Sequence, residues 1–415
     1  LLGQGQSMLG DPLQLLVVAT NAAPWAFDLK YLLAKALFGC GLAWCVWALT
    51  RDFAASAMLG FASVFIAFFN YRLNHPSIFT MGYAPWILVA WFHLAASPDR
   101  RSFRRSLLLW YAANWMVITS GTVKEAYLLG LSLNLTGAVL YFVTTRRADQ
   151  KMRRALILAW AGVAFVLTTC PLWWTFLEAL ATAYTNYDVP GIGQVPGNWL
   201  IGFFDDLFYR EFMPWHNIFK PATNFLILLG CLWAVLQPRR LFRSPGAVIV
   251  ACAALVALSL AFHFGPLAWP AAWLLAVPLL RNVYNLDTVF SCVAIVLVCV
   301  LAGWGFSAAR QPLTQGRTAR VAWMMAGIVL ALFAFDFAIT PTNFAAGHAW
   351  HGWSGLTVDD AIVYANVLLL PLSAWALVII AGRRLRGLRL GVGNATIVAV
   401  ALLILLGRHG QHLRF

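Results

Sequence analysis

Residues 285–307 read NLDTVFSCVAIVLVCVLAGWGFS and contain a single charged side chain, Asp287, in 23 positions. A transmembrane helix needs about 17–25 mostly apolar residues, and a run of this length is too long for one strand. The stretch therefore predicts a membrane-spanning helix, and the same criterion finds about twelve such runs along the chain. They are residues 28–50, 53–70, 78–97, 106–121, 124–144, 155–178, 219–237, 246–264, 285–307, 321–340, 361–382 and 392–407. The predicted fold class is all-α, a polytopic transmembrane helix bundle with juxtamembrane helices on its outer side.

The composition of the whole chain supports this class. Of the 415 residues, 61% are hydrophobic and only 11% are charged. Soluble domains carry about 25% charged residues, so a soluble enzyme is excluded. The seven cysteines are scattered within apolar runs and form no CxxC pair, so we interpret them as small hydrophobic side chains.

The basic residues follow an alternating pattern. Most of the 29 Lys and Arg fall in every second connection between the predicted spans, at 51, 100–105, 146–154, 239–243, 310–320 and 383–389. The positive-inside rule assigns these connections to the cytoplasm. We therefore interpret the net charge of +14 as a topology signal, and we predict no nucleic-acid binding because the charges are dispersed over short loops. Most acidic residues lie outside these loops, so we expect function on the outer face.

The chain is predicted to form one domain. Residues 1–27 are expected to be the remnant of a first outer loop, because the sequence begins at a leucine and no signal-like segment precedes the first span. The transmembrane domain covers 28–407 and a tail covers 408–415. The longer outer loops are 179–218, 265–284, which has a re-entrant character, and 341–360.

Two short outer helices are predicted in these segments. Asp11 followed by Pro12 is a common helix start, with the carboxylate as N-cap and proline at the first helical position. Residues 199–209 read WLIGFFDDLFY and predict a helix in the membrane interface, with its aromatic side chains toward lipid and its Asp pair toward water.

Three stretches carry a resemblance to a known family. They are GQSMLGDPL at 5–13, GTVKEAY at 121–127 and PLLRNVYNLD at 278–287. Together with the order of an outer juxtamembrane segment, a span and a basic cytoplasmic turn, they resemble the GT-C superfamily of polyprenyl-linked sugar transferases. Within that superfamily, the pattern is most similar to the bacterial YfhO-like membrane proteins.

The resemblance implies a glycosyltransferase of the bacterial inner membrane with a periplasmic or extracellular active face. Such an enzyme takes a sugar from a polyprenyl-phosphate carrier and passes it to an envelope polymer, lipid or protein. An acidic residue of the first outer loop usually acts as the base, often beside a divalent metal such as Mg²⁺ or Mn²⁺. Of that loop only Asp11 remains in this sequence.

Transfer from a lipid phosphate needs a carboxylate that accepts the acceptor's proton and cations that hold the leaving phosphate. The candidate catalytic carboxylates are Asp11, with an N-cap as the alternative role, and Glu125 at an outer span boundary. Lys124, next to Glu125, is a candidate substrate-binding residue, with a surface ion pair or a snorkelling lysine as the alternative.

The other candidate substrate-binding residues lie in two outer turns. Arg281 suits bidentate phosphate contact, and Asp287, six residues later, is a further candidate substrate-binding residue. An ion pair between the two that fixes the turn is the alternative. Arg72 is a second candidate phosphate ligand, with lipid head-group contact as the alternative, and His75 beside it could act as a donor or a base. We expect Arg281, Lys124 and Arg72 to converge on one outer cavity.

Two other functions remain open at this stage. A transporter or flippase of a lipid-linked substrate usually has ionisable groups near the bilayer midplane and a detectable repeat, whereas most ionisable residues here lie at the outer boundary. A non-catalytic subunit of an envelope assembly would tolerate the loss of any one outer carboxylate.

Overall fold

The computed structural model describes residues 10–71, 77–121, 123–145, 148–182, 194–204, 222–264 and 286–310, together with positions 273, 320, 324 and 327. These residues are mostly helical, which confirms the predicted all-α class. By length and composition, four of the described helices can cross a membrane, or five if one bent pair counts as a single span. The four are Pro24–Thr50, Ile78–Ala96, Glu125–Thr144 and Asp287–Arg310, and the bent pair is Lys151–Thr168 with Cys170–Glu178.

The helices follow one another with short connections. They are α1 (Pro12–Ala19), α2 (Pro24–Thr50), α3 (Phe53–Val64), α4 (Ala67–Tyr71), α5 (Ser77–Ala96), α6 (Arg100–Thr119), α7 (Val123–Thr144), α8 (Ala148–Thr168), α9 (Cys170–Thr182), α10 (Phe225–Val235), α11 (Pro238–Leu241), α12 (Pro245–Ala261) and α13 (Leu286–Arg310). A 3₁₀ helix covers Gly197–Phe203, and two short strands, Val195–Pro196 and Phe262–His263, pair in parallel.

Several helices begin where a side chain caps them. The carboxylate of Asp11 accepts a hydrogen bond from the Leu13 N–H at 3.1 Å, and Pro12 is the first residue of α1, which confirms the predicted helix start. Asp52 caps α3 and Asp99 caps α6 in the same way. The Ser102 N–H that bonds to Asp99 holds the pKa of that carboxyl group below its usual value.

The core is built around two helices. Helix α5 packs against α2, α6 and α7, and α13 packs against α10 and α12 and also contacts α2, α3 and α7. The apolar window of α13 is completely buried. A helix that is apolar on all sides is stable only when its whole circumference is covered, by protein or by lipid. Here other helices cover α13, so it forms the centre of the described bundle.

Small residues allow α10 and α13 to cross closely. A Cβ atom placed on Gly305 would clash with the carbonyl oxygen of Gly230, and one placed on Gly230 would meet Ala302. Membrane helices commonly pack through such small residues because the backbones can then approach each other. The two glycines therefore set the separation of these helices.

A polar network joins α5, α6 and α7 inside the bundle. The Asn134 side-chain oxygen accepts hydrogen bonds from the Nε1–H groups of Trp91 (2.9 Å) and Trp110 (2.7 Å). Its amide group donates to the Asn114 side-chain oxygen at 2.6 Å and to the Gly130 carbonyl at 2.8 Å. All hydrogen-bonding positions of the Asn134 amide are used, so the network ties three helices together.

One end of the bundle holds basic residues that the sequence assigns to the cytoplasmic loops. Arg310 pairs with Asp52, Arg240 donates to the Ala308 carbonyl at 3.1 Å, and Arg154 donates to the Ser97 carbonyl at 2.8 Å. Arg310 ends α13, Arg240 lies in α11, and Arg154 lies in the second turn of α8, close to where α2 and α5 end. We call this end of the bundle the basic end.

The predicted span 53–70 is broken in the structure. Helix α3 ends at Val64 and α4 begins at Ala67. Residues 222–224 form hydrogen bonds with backbone groups that the break leaves without helical partners. The Asn224 side chain donates to the Ala62 carbonyl at 2.8 Å, and the Ala67 N–H donates to the Thr223 carbonyl at 3.1 Å. Tertiary hydrogen bonds thus offset the lost helical ones, which an apolar pattern does not reveal.

Other predicted elements also differ. The predicted span 155–178 is bent by 53° between α8 and α9, and the pair of short strands was not predicted. Of the predicted interfacial helix 199–209, only 199–204 can be compared, and a 3₁₀ helix covers Gly197–Phe203 there. The predicted lipid contact was wrong for Phe203 and Phe204, because both are buried. The two rings pack on each other and on Phe262, so burial against protein replaces the expected lipid contact. The loop 341–360, the tail 408–415 and the last two predicted spans lie outside the described residues.

Candidate functional site

Three predicted site carboxylates lie at the end of the bundle opposite the basic end. Asp11 precedes α1, Glu125 lies in the first turn of α7, and Asp287 lies in the first turn of α13. The beginning of α5 connects two of them, since Tyr83 contacts Asp11 and Thr80 shares a cavity with Glu125. We call this end the carboxylate end.

Asp11 is buried and bonded through both carboxylate oxygens. Its Oδ1 accepts hydrogen bonds from the Tyr83 hydroxyl at 2.7 Å and from the Leu13 N–H at 3.1 Å. Its Oδ2 forms an ion pair with Lys30 Nζ at 2.9 Å, and both side chains are at most 1% exposed. Asp11 therefore links α1 to α2 and α5 and has no oxygen oriented toward open space.

Lys30 was not predicted as a partner for Asp11. Its Nζ also donates to the Gln14 side-chain oxygen at 2.7 Å and lies 3.7 Å from the centre of the Phe79 ring. A lysine inside an apolar run is costly unless it is paired, so its presence signalled a partner. The sequence does not identify that partner, because the contact forms only when α1, α2 and α5 pack together.

Glu125 has one carboxylate oxygen that accepts no hydrogen bond from the described residues. This oxygen, Oε2, is buried. The side chain lines a small cavity of about 10 Å³ between α5, α7 and α13, which is room for about one water molecule. Two threonines and four apolar residues complete the lining, namely Thr80, Thr288, Met81, Leu129, Val289 and Cys292.

This cavity combines a carboxylate, two hydroxyl groups and an apolar wall. A carboxylate in such surroundings can accept a proton from a hydroxyl or amine group that enters the cavity. The threonine hydroxyls can both donate and accept hydrogen bonds, so they can orient a polar group there. Neither Thr80 nor Thr288 was predicted, because threonines in apolar runs are common and give no specific signal.

Asp287 lies beside this cavity and is almost completely buried. It occupies the first turn of α13, where the helix dipole stabilises a negative charge. The next residue, Thr288, lines the cavity with Glu125. The structure thus brings Glu125 and the start of α13 to the same cavity, with Asp11 on a neighbouring face of α5.

The remaining predicted residues are not placed. Arg72, His75 and Arg281 lie outside the described residues, and for Lys124 the structure gives only the backbone, within α7. The expected convergence of Arg281, Lys124 and Arg72 therefore stays a prediction. Within the described part of the chain, no three His, Cys, Asp or Glu side chains are grouped so that they could hold a metal ion.

Comparisons with known proteins find two similar solved structures. No family model and no curated protein matches the chain. Two solved structures are similar, the crystal structures of ArnT from Cupriavidus metallidurans in the apo state and bound to undecaprenyl phosphate. The TM-scores are 0.48 and 0.46 and the identities 16% and 17%, over 95% of this chain. The chain spans less than two thirds of the ArnT chain, 63% and 64% respectively, and similarity at this level does not establish a shared activity.

Proposed function

We propose that this protein is a membrane glycosyltransferase that transfers a sugar from a polyprenyl-phosphate carrier to an envelope acceptor. One observation carries the proposal. The buried Oε2 of Glu125, which has no hydrogen-bond partner among the described residues, lies at a cavity that Thr80 and Thr288 also line, at the carboxylate end of the bundle. Ionisable side chains in membrane helices are costly and usually functional, so an unpaired carboxylate there needs a purpose.

The proposed reaction uses Glu125 as the general base. The acceptor's hydroxyl or amine group gives its proton to the Glu125 carboxylate, while its lone pair forms a bond to C1 of the donor sugar. The bond between C1 and the phosphate oxygen breaks, and its electron pair leaves with the polyprenyl phosphate. Proton acceptance by a positioned side chain typically contributes about 10²–10⁴-fold in rate.

Glu125 suits this role better than Asp11. Asp11 Oδ1 accepts hydrogen bonds and Oδ2 is in an ion pair with Lys30, whereas Oε2 of Glu125 has no hydrogen-bond partner among the described residues. We therefore propose that Asp11 holds α1 against α2 and α5. The catalytic role predicted for Asp11 remains to be tested by substitution.

The donor phosphate would be held by cations near the same cavity. We propose Arg281, Lys124 and Arg72 for this contact, with His75 and Asp287 orienting the substrate. A divalent metal such as Mg²⁺ or Mn²⁺ is part of the proposal from family resemblance alone. The location in the bacterial inner membrane and the periplasmic or extracellular active face are likewise part of the proposal from family resemblance alone.

One observation favours a transporter as a second candidate. Lys35 lies within the Pro24–Thr50 span, is buried, and is surrounded by the rings of Tyr31, Phe65 and Phe69 at 5.2–5.9 Å. Buried ionisable groups inside spans often line transport paths. A transporter would depend on Lys35, whereas the proposed transferase depends on Glu125.

A transfer assay with matched variants tests the proposal. Membranes that contain the protein would be incubated with radiolabelled polyprenyl-phosphate sugars and envelope acceptors. We expect Glu125→Gln to lower kcat by about 10²–10⁴-fold. Asp28→Asn removes an exposed carboxylate from the first turns of α2 and should leave transfer unchanged.

Two results would contradict the proposal. Full transfer by Glu125→Gln would remove Glu125 as the base. A folded parent protein that transfers none of the common sugars, but moves a lipid-linked substrate across vesicles in a Lys35-dependent manner, would establish the transporter instead.

A further inference from the structure

A second polar site lies at the basic end of the bundle, around Arg154 in α8. Arg154 is only 7% exposed. One guanidinium nitrogen, Nη1, donates to the Ser97 carbonyl at 2.8 Å, and the group lies 5.1 Å from the centre of the Phe103 ring. These contacts hold α8 against the end of α5 and the start of α6.

The guanidinium retains unused hydrogen-bonding capacity. It carries five N–H donors, and among the described residues only the Ser97 carbonyl accepts from it. No described carboxylate pairs with Arg154, and the nearby Asp99 is exposed and bonded to the Ser102 N–H. A buried positive charge without a counter-charge favours binding of an anion.

Two buried hydroxyl groups near the end of α7 are also unused. The Tyr141 hydroxyl and Thr145 Oγ1 are buried and make no hydrogen bond within the described chain. Thr145 N–H donates to the Tyr141 carbonyl at 3.1 Å, so the two residues lie one helical turn apart on the same face. Lys151, one turn before Arg154 in α8, donates to the Phe142 carbonyl, so the start of α8 lies against the end of α7 that carries these hydroxyls.

We propose that Arg154, Tyr141 and Thr145 bind the phosphate group of an anionic phospholipid. The three side chains, here called the Arg154 pocket, offer unused donors and one positive charge. A phosphodiester supplies several acceptor oxygens and a negative charge, and arginine matches its geometry. Basic pockets between membrane helices are known to bind lipid head groups in this way.

The surroundings of the pocket favour a lipid as the source of the phosphate. Met152, Leu156 and Trp160 are exposed and follow each other at i, i+4 and i+8 along α8. They form an apolar stripe on the face of α8 opposite Arg154, and exposed Phe142 and Val143, next to Tyr141, add apolar surface near the pocket on which acyl chains can pack. Exposed Arg104 and Arg105 add positive potential at the same end. The site is independent of the proposed transferase cavity at the opposite end.

Native mass spectrometry of the purified protein in neutral detergent tests the site. Phosphatidylglycerol and phosphatidylcholine would be titrated separately, and apparent Kd values compared. We expect the parent to bind phosphatidylglycerol at least about tenfold more tightly, and Arg154→Gln to lose that preference. Arg153→Gln removes the same charge from an exposed neighbour and should change the Kd by less than about twofold.

Tyr141→Phe provides the decisive variant if Arg154→Gln does not fold. The hydroxyl that it removes makes no hydrogen bond to the described residues, so the lipid-free Tm should stay the same or rise. Phosphatidylglycerol should raise the Tm of Tyr141→Phe by less than it raises the Tm of the parent. Equal losses in the Arg153 and Arg154 variants, or an unchanged lipid response in Tyr141→Phe, would overturn the site. An equal Tm rise with inorganic phosphate alone would overturn its assignment to a lipid.

Discussion

The ion pair between Asp11 and Lys30 gives the clearest stability prediction. Both side chains are almost completely buried, with Lys30 Nζ 2.9 Å from Asp11 Oδ2. Removing one member of a buried pair leaves the other charge uncompensated and costs about 3–5 kcal/mol. Asp11→Asn keeps the acceptor for Tyr83 and Leu13 and removes only the charge, so we expect it to cost about 3 kcal/mol. Lys30→Met should cost a similar amount.

The double variant separates the ion pair from general effects of substitution. With both charges removed, no buried charge remains, so the loss should be smaller than the sum of the single losses by at least about 2 kcal/mol. Reversible unfolding in mixed micelles of SDS and neutral detergent, followed by tryptophan fluorescence, measures these free energies. Exposed Asp28→Asn is the control and should change stability by less than about 0.5 kcal/mol. Single losses that add within about 0.5 kcal/mol would refute the account.

The remaining predictions concern helix packing and the metal. Gly305→Ala should destabilise by about 1–3 kcal/mol because its Cβ would clash with Gly230, whereas Gly162→Ala, with open space at its Cβ, should stabilise by about 0.5–1 kcal/mol. Equal effects in the same unfolding assay would contradict the close crossing. Asn134→Leu leaves two indole N–H groups without an acceptor and should lower the free energy of unfolding by about 1–3 kcal/mol. An unchanged unfolding midpoint would show that the network is not stabilising. If a divalent metal is required, EDTA should abolish sugar transfer and Mg²⁺ or Mn²⁺ should restore it, while transfer that resists EDTA contradicts the metal.

The long apolar runs predicted the main helices well. Helices α2, α5, α7 and α13 each contain a run that is long and apolar enough to span a membrane, and such runs are local properties of the sequence. The break between α3 and α4 was not predictable, because Asn224 stabilises it from a distant part of the chain. A local pattern contains no information about such a contact.

The candidate site was predicted only in part, for a similar reason. Asp11 was recognised as a helix cap from the Asp–Pro pair, but its partners Lys30 and Tyr83 depend on tertiary structure. Glu125 was a candidate because it is charged at the edge of a span. The cavity beside it forms only when α5, α7 and α13 pack together, so Thr80 could not be predicted.

Chemical rescue tests the central claim about Glu125 most directly. Glu125→Ala removes the carboxylate and enlarges the small cavity beside it, so formate can enter the space that the side chain leaves. We expect sugar transfer to fall by about 10²–10⁴-fold in this variant and to recover partly as formate is added. Glu125→Gln should not recover, because its amide fills the space. Transfer at the parent rate by Glu125→Ala without formate would contradict the account.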